Sequence, residues 1–231
     1  MEQHNINQLK VVKHHDLNQA SYKLSLDERR LILSGLGLVN PMGDIPEYIK
    51  IHAKDFAKLW DMDIQNAYHT MKKAKASLYE RSIRIKSDGK VRDIRWIYET
   101  EYADGEGYIK LFFSPPIKPF LSKLKSHFVS YHLTEIKSFK SGHAIRLYEL
   151  LMQFKKNGWY NESVLNLKEK FGVQDNYPAW YEFRRCVIEP AVKEINTATN
   201  YTVKYETQKR GRNISRVKFF FALNPQPDMF K

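Results

Sequence analysis

The sequence predicts an α+β fold of two tandem winged-helix domains, each a helix-turn-helix followed by a β-hairpin wing, joined by a helix. Three observations support this fold class. The order helix, strand, helix, helix, sheet occurs twice along the 231 residues. Segments 63–95 and 177–218 each hold nine Lys or Arg against four Asp or Glu, as expected of two similar binding surfaces. A proline-rich stretch at 115–119 separates the halves, which places the predicted domains at 1–120 and 121–231.

The first half opens with a helix whose capping box, Ser25 followed by Glu28, fixes its start. It ends near Leu38, before an Asn-Pro-Met-Gly turn. After it the sequence predicts a strand at 48–51 and a helix with Phe56, Leu59 and Trp60. A helix over 64–80 follows, with Asp63 as N-cap and Ala67, Met71, Ala74 and Leu78 as core stripe. The rest of this half is predicted to form a strand at 82–86, a turn at Asp88-Gly89, one long strand over 91–102, a turn over 104–107 and a strand at 108–113.

The second half repeats this order after a helix near 117–125, which we expect to connect the domains. The elements predicted in it are a strand over 128–133, a helix over 141–155, a strand at 164–165, a short helix with Leu167 and Phe171 ended by Gly172, a helix from Pro178 to about Ala198 with Phe183, Val187, Ala191 and Ile195 as core stripe, and strands over 201–207 and 214–223. Pro190 lies inside the last helix and should kink or split it.

The composition favours a soluble protein with a polyanionic partner. The net charge of +12 suits DNA, because neutralising phosphates releases condensed counterions, although many proteins are basic for solubility alone. An anionic membrane is a poorer partner, because neither basic segment has a broad apolar face. No apolar run is long enough to span a bilayer, the N-terminus lacks a secretory signal, and the lone Cys186 forms neither an internal disulfide nor a thiolate metal site. We therefore expect a cytoplasmic location.

The third helix of the second half carries the groups best suited to contact base edges. Arginine is the strongest candidate, because its planar fork bonds guanine O6 and N7 together. A glycine turn then lets cations of the wing reach phosphates or a minor groove. The predicted DNA-binding residues of this half are Trp180, Tyr181, Arg184, Arg185, Lys209, Arg210 and Arg212. The alternative is a solvated helix face whose arginines pair with Glu182 and Glu189.

The third helix of the first half has lysines and no arginine before Arg81, which favours phosphate contacts over base recognition. Its predicted DNA-binding residues are Gln65, Tyr68, His69, Lys72, Lys73 and Lys75. This domain could also bind a second copy of the chain through aromatic side chains, although such residues are more often core. The candidates for that interface are Trp60, Trp96, Tyr98 and Tyr102.

Enzymatic activity is not expected, and neither is a cofactor or a metal. The sequence has no phosphate-cradling G-x-x-x-x-G-K-[ST] loop and no Cys/His cluster with metal-ligand spacing; His14-His15-Asp16 comes nearest to a ligand set. DNA nicking of the rolling-circle kind needs a His–apolar–His pair beside a tyrosine nucleophile. Tyrosines are abundant, but no His-x-His occurs. Binding is therefore the better interpretation.

Several segments in combination carry a family resemblance. They are Tyr181-Glu182-Phe183-Arg184-Arg185, Val192-Lys193-Glu194-Ile195-Asn196, the Lys209-Arg210-Gly211-Arg212 wing, and Leu147-Tyr148-Glu149-Leu150-Leu151 after Gly142. With them the chain, over 18–221, resembles the iteron-binding family of plasmid replication initiators. The resemblance implies that Arg184 and Arg185 contact bases and that the basic wing residues contact DNA. Cys186 departs from the pattern, since some members carry a third arginine there.

The resemblance also implies partners and regulation. Such initiators bind tandem direct repeats of double-stranded DNA as monomers, and homodimers formed through the N-terminal domain repress their own gene. Monomers help to open an AT-rich region and recruit the host replication initiator and helicase. The alternative function is a winged-helix transcriptional repressor with no role in replication, which tandem sites at an origin would distinguish.

Overall fold

The computed structural model describes residues 8–87, 89–102, 105–122 and 124–224. Asp88 and Asp104, which the sequence predicts to lie in turns, are outside the described residues. The elements of the N-terminal half are β1 Lys10–His14, α1 His15–Gln19, α2 Leu26–Gly37, β2 Ile49–His52, α3 Ala53–Trp60, α4 Ile64–Leu78, β3 Ser82–Ser87, β4 Lys90–Arg95, β5 Ile97–Tyr102 and β6 Tyr108–Phe113. Those of the C-terminal half are β7 Phe128–His132, α5 Gly142–Met152, β8 Trp159–Ser163, α6 Val164–Phe171, α7 Trp180–Phe183, α8 Glu189–Ala198, β9 Tyr201–Arg210 and β10 Asn213–Leu223.

Each half contains a core of three helices, α2, α3 and α4 or α5, α6 and the helix formed by α7 and α8, together with a three-stranded antiparallel sheet of the same connectivity. The sheet orders are β2-β6-β5 and β8-β10-β9, so the first strand pairs with the last in both halves. In each half the first strand lies between the first two helices, and the other two form a hairpin after the third helix. Between α4 and β5 the N-terminal half also carries the two-stranded β3–β4 sheet, which has no counterpart in the described residues of the C-terminal half.

The helix starts and core stripes follow the sequence pattern. Ser25 and Glu28 form the predicted capping box, and Asp63 accepts a hydrogen bond from the Asn66 N–H as the predicted N-cap. Both predicted core stripes are confirmed, because every residue in them is at most 3% exposed. Gly172 ends α6 with a φ of 67°, as predicted for a left-handed C-cap.

Several predicted boundaries are wrong. The long strand over 91–102 is divided at Trp96, because this residue turns its ring into the core, edge-on to Tyr22 with centroids 5.2 Å apart. The connecting helix near 117–125 is instead a 3₁₀ helix, Pro115–Phe120, because its prolines cannot donate the hydrogen bonds of an α-helix. In place of a strand at 164–165, β8 ends at Ser163, which caps α6.

The last long helix begins at Trp180, with Ala179 as N-cap, so Pro178 precedes the helix instead of occupying its first position. The helix over 141–155 also ends earlier, at Met152, and is followed by turns. Both corrections concern helix ends, where competing local hydrogen bonds decide the boundary.

The segment before Ser25 joins the two halves, which was not predicted from the sequence. β1 pairs antiparallel with β7, from Lys10 opposite His132 to His14 opposite Phe128. The following helix, α1, lies against α5 and β3. The division at residue 120 stays a prediction, since the two winged-helix sheets fall on either side of it but the β1–β7 pair spans it.

Candidate DNA interface

The helix-turn-helix of the C-terminal half is fixed by short polar contacts. The Ser163 side chain accepts a hydrogen bond of 3.1 Å from the Asn166 N–H and so caps α6. After the left-handed Gly172, Lys168 Nζ donates to the carbonyl oxygens of Tyr177 (2.6 Å) and Pro178 (3.2 Å). These bonds hold the residues that lead into α7, so the start of the third helix has a defined position.

The third helix of this half is continuous over 180–198 but contains one π turn, Arg184–Ile188, between α7 and α8. The Glu189 N–H bonds to the Arg184 carbonyl, five residues earlier. Pro190 follows directly, and it has no N–H with which to continue α-helical bonding to Cys186. The helix is therefore not split at Pro190, and in place of the predicted kink or break it contains a π turn just before the proline, which changes the faces on which Arg184 and Arg185 project.

The polar side chains at this turn surround Tyr181, which is 57% exposed. The guanidinium carbons of Arg184 and Arg185 lie 5.7 and 5.6 Å from its ring centroid. Arg184 is half-buried, with its Nε 3.5 Å from Glu189 Oε1, whereas Arg185 is exposed. The ring and the carboxylate orient two donor forks at the outer surface of the helix.

Trp180, like Arg184, is one of the less accessible predicted contacts on this helix. It is half-buried, and its ring packs edge-on against Phe183 with centroids 6.1 Å apart. The alternative interpretation, in which both arginines pair with glutamates on a solvated helix face, agrees with the structure only for Arg184. Among the described residues neither Glu182 nor Glu189 pairs with Arg185. That Trp180, Tyr181, Arg184 and Arg185 bind DNA stays a prediction.

The wing of the C-terminal half is strongly cationic. β9 and β10 pair along their lengths up to Arg210 opposite Asn213, which leaves Gly211 and Arg212 as the turn. Gly211 has a φ of 62° and open space around it. Lys209, Arg210 and Arg212 are exposed, and none forms an ion pair within the part of the chain that the structure describes. Three unneutralised cations at a projecting turn are suited to phosphate contacts.

The predicted DNA-contacting residues of α4 divide into two groups. Gln65, His69 and Lys73 are exposed, whereas Tyr68, Lys72 and Lys75 are half-buried. Lys72 and Lys75 lie over the Tyr102 ring, with Nζ atoms 4.8 and 3.7 Å from its centroid. Burial, and then the charge of Lys72, lowers the pKa of Lys75. Two of the three lysines predicted to bind DNA, Lys72 and Lys75, therefore contact the wing strand β5.

The aromatic residues considered for self-association also divide. Trp60 and Trp96 are core residues, only 3% and 2% exposed, which corrects the expectation that they form an interface. Tyr98 and Tyr102 remain 44% and 37% exposed on β5, the edge strand of its sheet. An edge strand keeps unpaired backbone groups that can pair with another chain.

The wing of the N-terminal half has the opposite charge to that of the C-terminal half. Over 97–113 the sequence contains four acids and one base, Lys110. Lys110 is neutralised by Glu101, with Nζ 2.7 Å from Oε1, while Glu99 and Glu106 are exposed. Because an acidic hairpin repels phosphates, the wing beside α4 is not suited to bind the DNA backbone. This difference was not predicted from the sequence, although the count of acids signals it.

A buried charge cluster connects the two halves. Glu149 on α5 lies 2.6 Å from Lys13 Nζ and 3.6 Å from a guanidinium nitrogen of both Arg29 and Arg146, and it accepts a 2.7 Å hydrogen bond from the Tyr131 hydroxyl. Burial would raise its pKa, but the three cations outweigh burial and lower the pKa to about 2. Four charges with a net of +2 are thus buried at the junction, which positions the two helix-turn-helix units relative to each other.

The described residues contain no group of three His, Cys, Asp or Glu side chains placed to hold a metal ion. They also include no helix that is both long and apolar enough to cross a membrane.

Comparison with known proteins assigns both halves. A family model described as "Initiator Replication protein, WH1" matches residues 10–152, and one described as "Initiator Rep protein, WH2" matches residues 163–221. A replication initiation protein of Escherichia coli is 29% identical, over 97% of this chain and 73% of its own length. The PI protein of Escherichia coli is 26% identical, over 95% of this chain and 85% of its own.

The fold is also similar to a solved structure. The crystal structure of Pi initiator protein in complex with iteron DNA has a TM-score of 0.81 and 25% sequence identity. The alignment covers 94% of this chain and 98% of the solved one. Together with the family models, this similarity confirms the predicted fold class of two winged-helix domains.

Proposed function

The chain belongs to the family of initiator replication proteins, and we propose that it initiates replication of a plasmid by binding tandem repeats, or iterons, in the origin duplex. This membership confirms the resemblance found in the sequence. The observation that carries the proposal is the pair Arg184 and Arg185 around Tyr181, at the exposed start of the third helix of a winged helix. A relative with this fold has been crystallised with iteron DNA.

In the proposed complex the segment over 180–188 enters the major groove, which is wide enough for a helix. Arg185 is exposed and supplies a bidentate fork to a guanine edge, and Arg184 supplies a second donor group oriented by Glu189. Lys209, Arg210 and Arg212 bind phosphates beside that groove and fix the register without selecting sequence. On α4, the exposed Gln65, His69 and Lys73 contact the backbone of a neighbouring groove.

The test is a selection of random duplexes with the purified chain near physiological salt, run in parallel with Arg185→Ala. We expect the parent chain to select one long motif and the variant to lose preference at one or two positions of it. If the parent selects no motif and all binding disappears as salt rises, the chain is a general DNA-coating protein and the proposal fails.

Tandem copies of the selected motif at the plasmid origin would separate an initiator from a transcriptional repressor without a replication role. We propose that the chain also represses its own gene as a homodimer, through the edge strand β5 with Tyr98 and Tyr102. Sedimentation of the parent chain and of Tyr98→Ser/Tyr102→Ser checks the interface. A dimer that both proteins form with equal affinity would place self-association elsewhere.

The proposal also covers the protein partners, the location in the cell and the absence of catalysis. The host replication initiator and helicase are the proposed protein partners at the opened origin, and the cytoplasm is the proposed location. We propose that the chain acts by binding and has no nicking activity. Supercoiled origin plasmid incubated with the chain and Mg²⁺ or Mn²⁺ should stay intact, and a strand break with a tyrosine adduct would reverse this assignment.

A further inference from the structure

The β3–β4 hairpin is the main structural difference between the two winged helices, and it is the most cationic hairpin of the N-terminal half. The sequence over 81–95 contains six Lys or Arg against two Asp. Four of the six cations are paired with carboxylates: Arg81 with Glu28, Arg84 with Asp93, Lys86 with Glu169 and Arg95 with Glu80. Lys90 and Arg92, near the turn, are exposed and have no such partner among the described residues.

The base of this hairpin is attached to the helix-turn-helix of the other half. Ser21 and Arg84 exchange two backbone hydrogen bonds of 2.8 and 2.9 Å, and the Ser21 hydroxyl donates to the Glu169 carbonyl on α6. Lys86 Nζ reaches Glu169 Oε2 at 2.7 Å. Residues of the hairpin also line a cleft together with Gly172 and Gln174, in the turn between α6 and α7. The hairpin therefore lies beside α6 and the turn that leads from α6 to the third helix of the C-terminal half.

The turn of the hairpin shares a left-handed glycine with the turn of the C-terminal wing. Gly89 has a φ of 70° and Gly211 a φ of 62°, and at both positions the space that a Cβ would occupy is open for 4 Å. Gly211 lies between the exposed Arg210 and Arg212, and Gly89 is followed by the exposed Lys90 and Arg92. By contrast, the β5–β6 wing of the N-terminal half is acidic. The N-terminal half thus carries its projecting cations on β3–β4 and not on its wing.

We propose that the β3–β4 hairpin replaces the acidic wing as the phosphate-binding hairpin of the N-terminal half. Lys90 and Arg92 bind backbone phosphates of the same duplex that the segment over 180–188 enters. The contact lies between the two predicted groove contacts, because the hairpin is attached to α6 while continuing from α4. The inference rests on the proposed DNA-binding function and adds a fourth contact surface to the three proposed there.

The test compares the full chain with Lys90→Gln/Arg92→Gln on the duplex recovered by the selection described above. The matched control, Lys155→Gln/Lys156→Gln, removes the same charge from exposed turns after α5, outside the helix-turn-helix units and the three hairpins. We expect the hairpin variant to reduce the slope of log K against log [salt] by about 1.8, or about 0.9 for each of two phosphates, and the control to change it little. An unchanged melting temperature would show that both variants fold.

Hydroxyl-radical footprinting locates the contact. The hairpin variant should lose protection of a few nucleotides between the two groove contacts, while its selected motif stays the same as that of the parent. A salt slope and a footprint equal to those of the control would overturn the inference and leave the proposed function intact. If the parent selects no motif, the proposed function fails, and the salt slopes on random duplex still decide whether the hairpin binds phosphates.

Discussion

The two winged helices have the same strand connectivity but opposite wings. In the C-terminal half the β9–β10 hairpin presents Lys209, Arg210 and Arg212 around a glycine turn, and in the N-terminal half the β5–β6 hairpin presents glutamates. Both sheets nevertheless pair the first strand with the last and place a hairpin after the third helix. Topology therefore fixes where a wing projects, whereas the residues at its turn decide whether it can approach a polyanion.

The third helices differ in a related way. On α4, Lys72 and Lys75 lie on Tyr102 of the adjacent wing strand, which draws part of the charge back onto the protein. In the C-terminal half the aromatic residue, Tyr181, is on the helix itself, and Arg184 and Arg185 lie beside it at the surface. We therefore expect the cations beside Tyr181 to contact bases, and the two lysines held over Tyr102 to contribute less to DNA binding.

The largest effect on stability is expected at the buried charge cluster around Glu149, which positions the two winged helices relative to each other. Glu149→Gln leaves Lys13, Arg29 and Arg146 buried without their carboxylate, which should cost about 3–5 kcal/mol of unfolding free energy. Urea denaturation measures it, with the exposed Glu47→Gln as control, expected within about 0.5 kcal/mol of the parent. A variant as stable as the control would mean that the junction adds nothing to stability.

The same carboxylate gives a pH dependence with a defined sign. Its pKa is about 2 in the folded chain against an ordinary value of 4.5, so its stabilisation is present above pH 4.5 and is lost as pH falls toward 2. Urea midpoints of the parent should therefore fall over this range more steeply than those of Glu149→Gln. Parallel pH profiles would show that Glu149 is not the titrating group.

The next largest effect tests the contrast between the third helices. Arg184→Ala or Arg185→Ala should cost about 1–3 kcal/mol on the selected duplex and relax specificity there. Lys73→Ala on α4 should weaken binding to all duplexes by a similar factor. Titrations on selected and random duplexes check both. An Arg184→Ala variant that loses affinity equally for the two would show that this helix does not select bases.

A smaller effect tests the cationic wing. Lys209→Ala should reduce the slope of log K against log [salt] by about 0.9, because one phosphate contact is lost, without changing the selected motif. Titrations at four or five salt concentrations provide the slope. A changed motif with an unchanged slope would mean that the wing contacts bases instead of phosphates.

The smallest effect is expected at the acidic wing. If β5–β6 stays away from the duplex, its charges are screened at physiological salt, and Glu99→Gln/Glu106→Gln, which leaves the Glu101–Lys110 pair intact, should change DNA affinity by less than about 0.5 kcal/mol. The same titrations test this expectation. If the slope of log K against log [salt] exceeded that of the parent by the amount expected for nearly two phosphate contacts, these carboxylates would lie against the DNA backbone.

The sequence predicts the local features of this fold well. Capping residues and helical stripes depend on spacing within one element, so Ser25, Asp63 and the stripe from Phe183 to Ile195 are found where expected. Features that depend on distant partners are missed. Trp96 divides a strand because its ring packs on Tyr22, and Lys10-Val11-Val12-Lys13 forms a strand only because β7 is available to pair.

The candidate site shows the same limit. From residue type and position the sequence predicts Arg184 and Arg185 on the third helix and the Lys209–Arg212 turn on the wing as DNA contacts, and this stays a prediction. It does not show that Lys72 and Lys75 lie over Tyr102, or that Arg84 and Lys86 are neutralised while Lys90 and Arg92 have no ion-pair partner among the described residues. Those distinctions depend on pairing across strands and between the halves.

The pairing of β1 with β7 has a consequence for the order in which the chain matures during translation. Lys10 has its partner only when His132 has been made, and Lys13 meets Glu149 later still. Until β7 leaves the ribosome, the N-terminal segment has no strand to pair with, and until α5 follows, α1 lacks one of the elements against which it packs. Nascent chains halted before residue 128 should therefore be digested by protease within 8–22, and those halted well beyond 152 should be protected there.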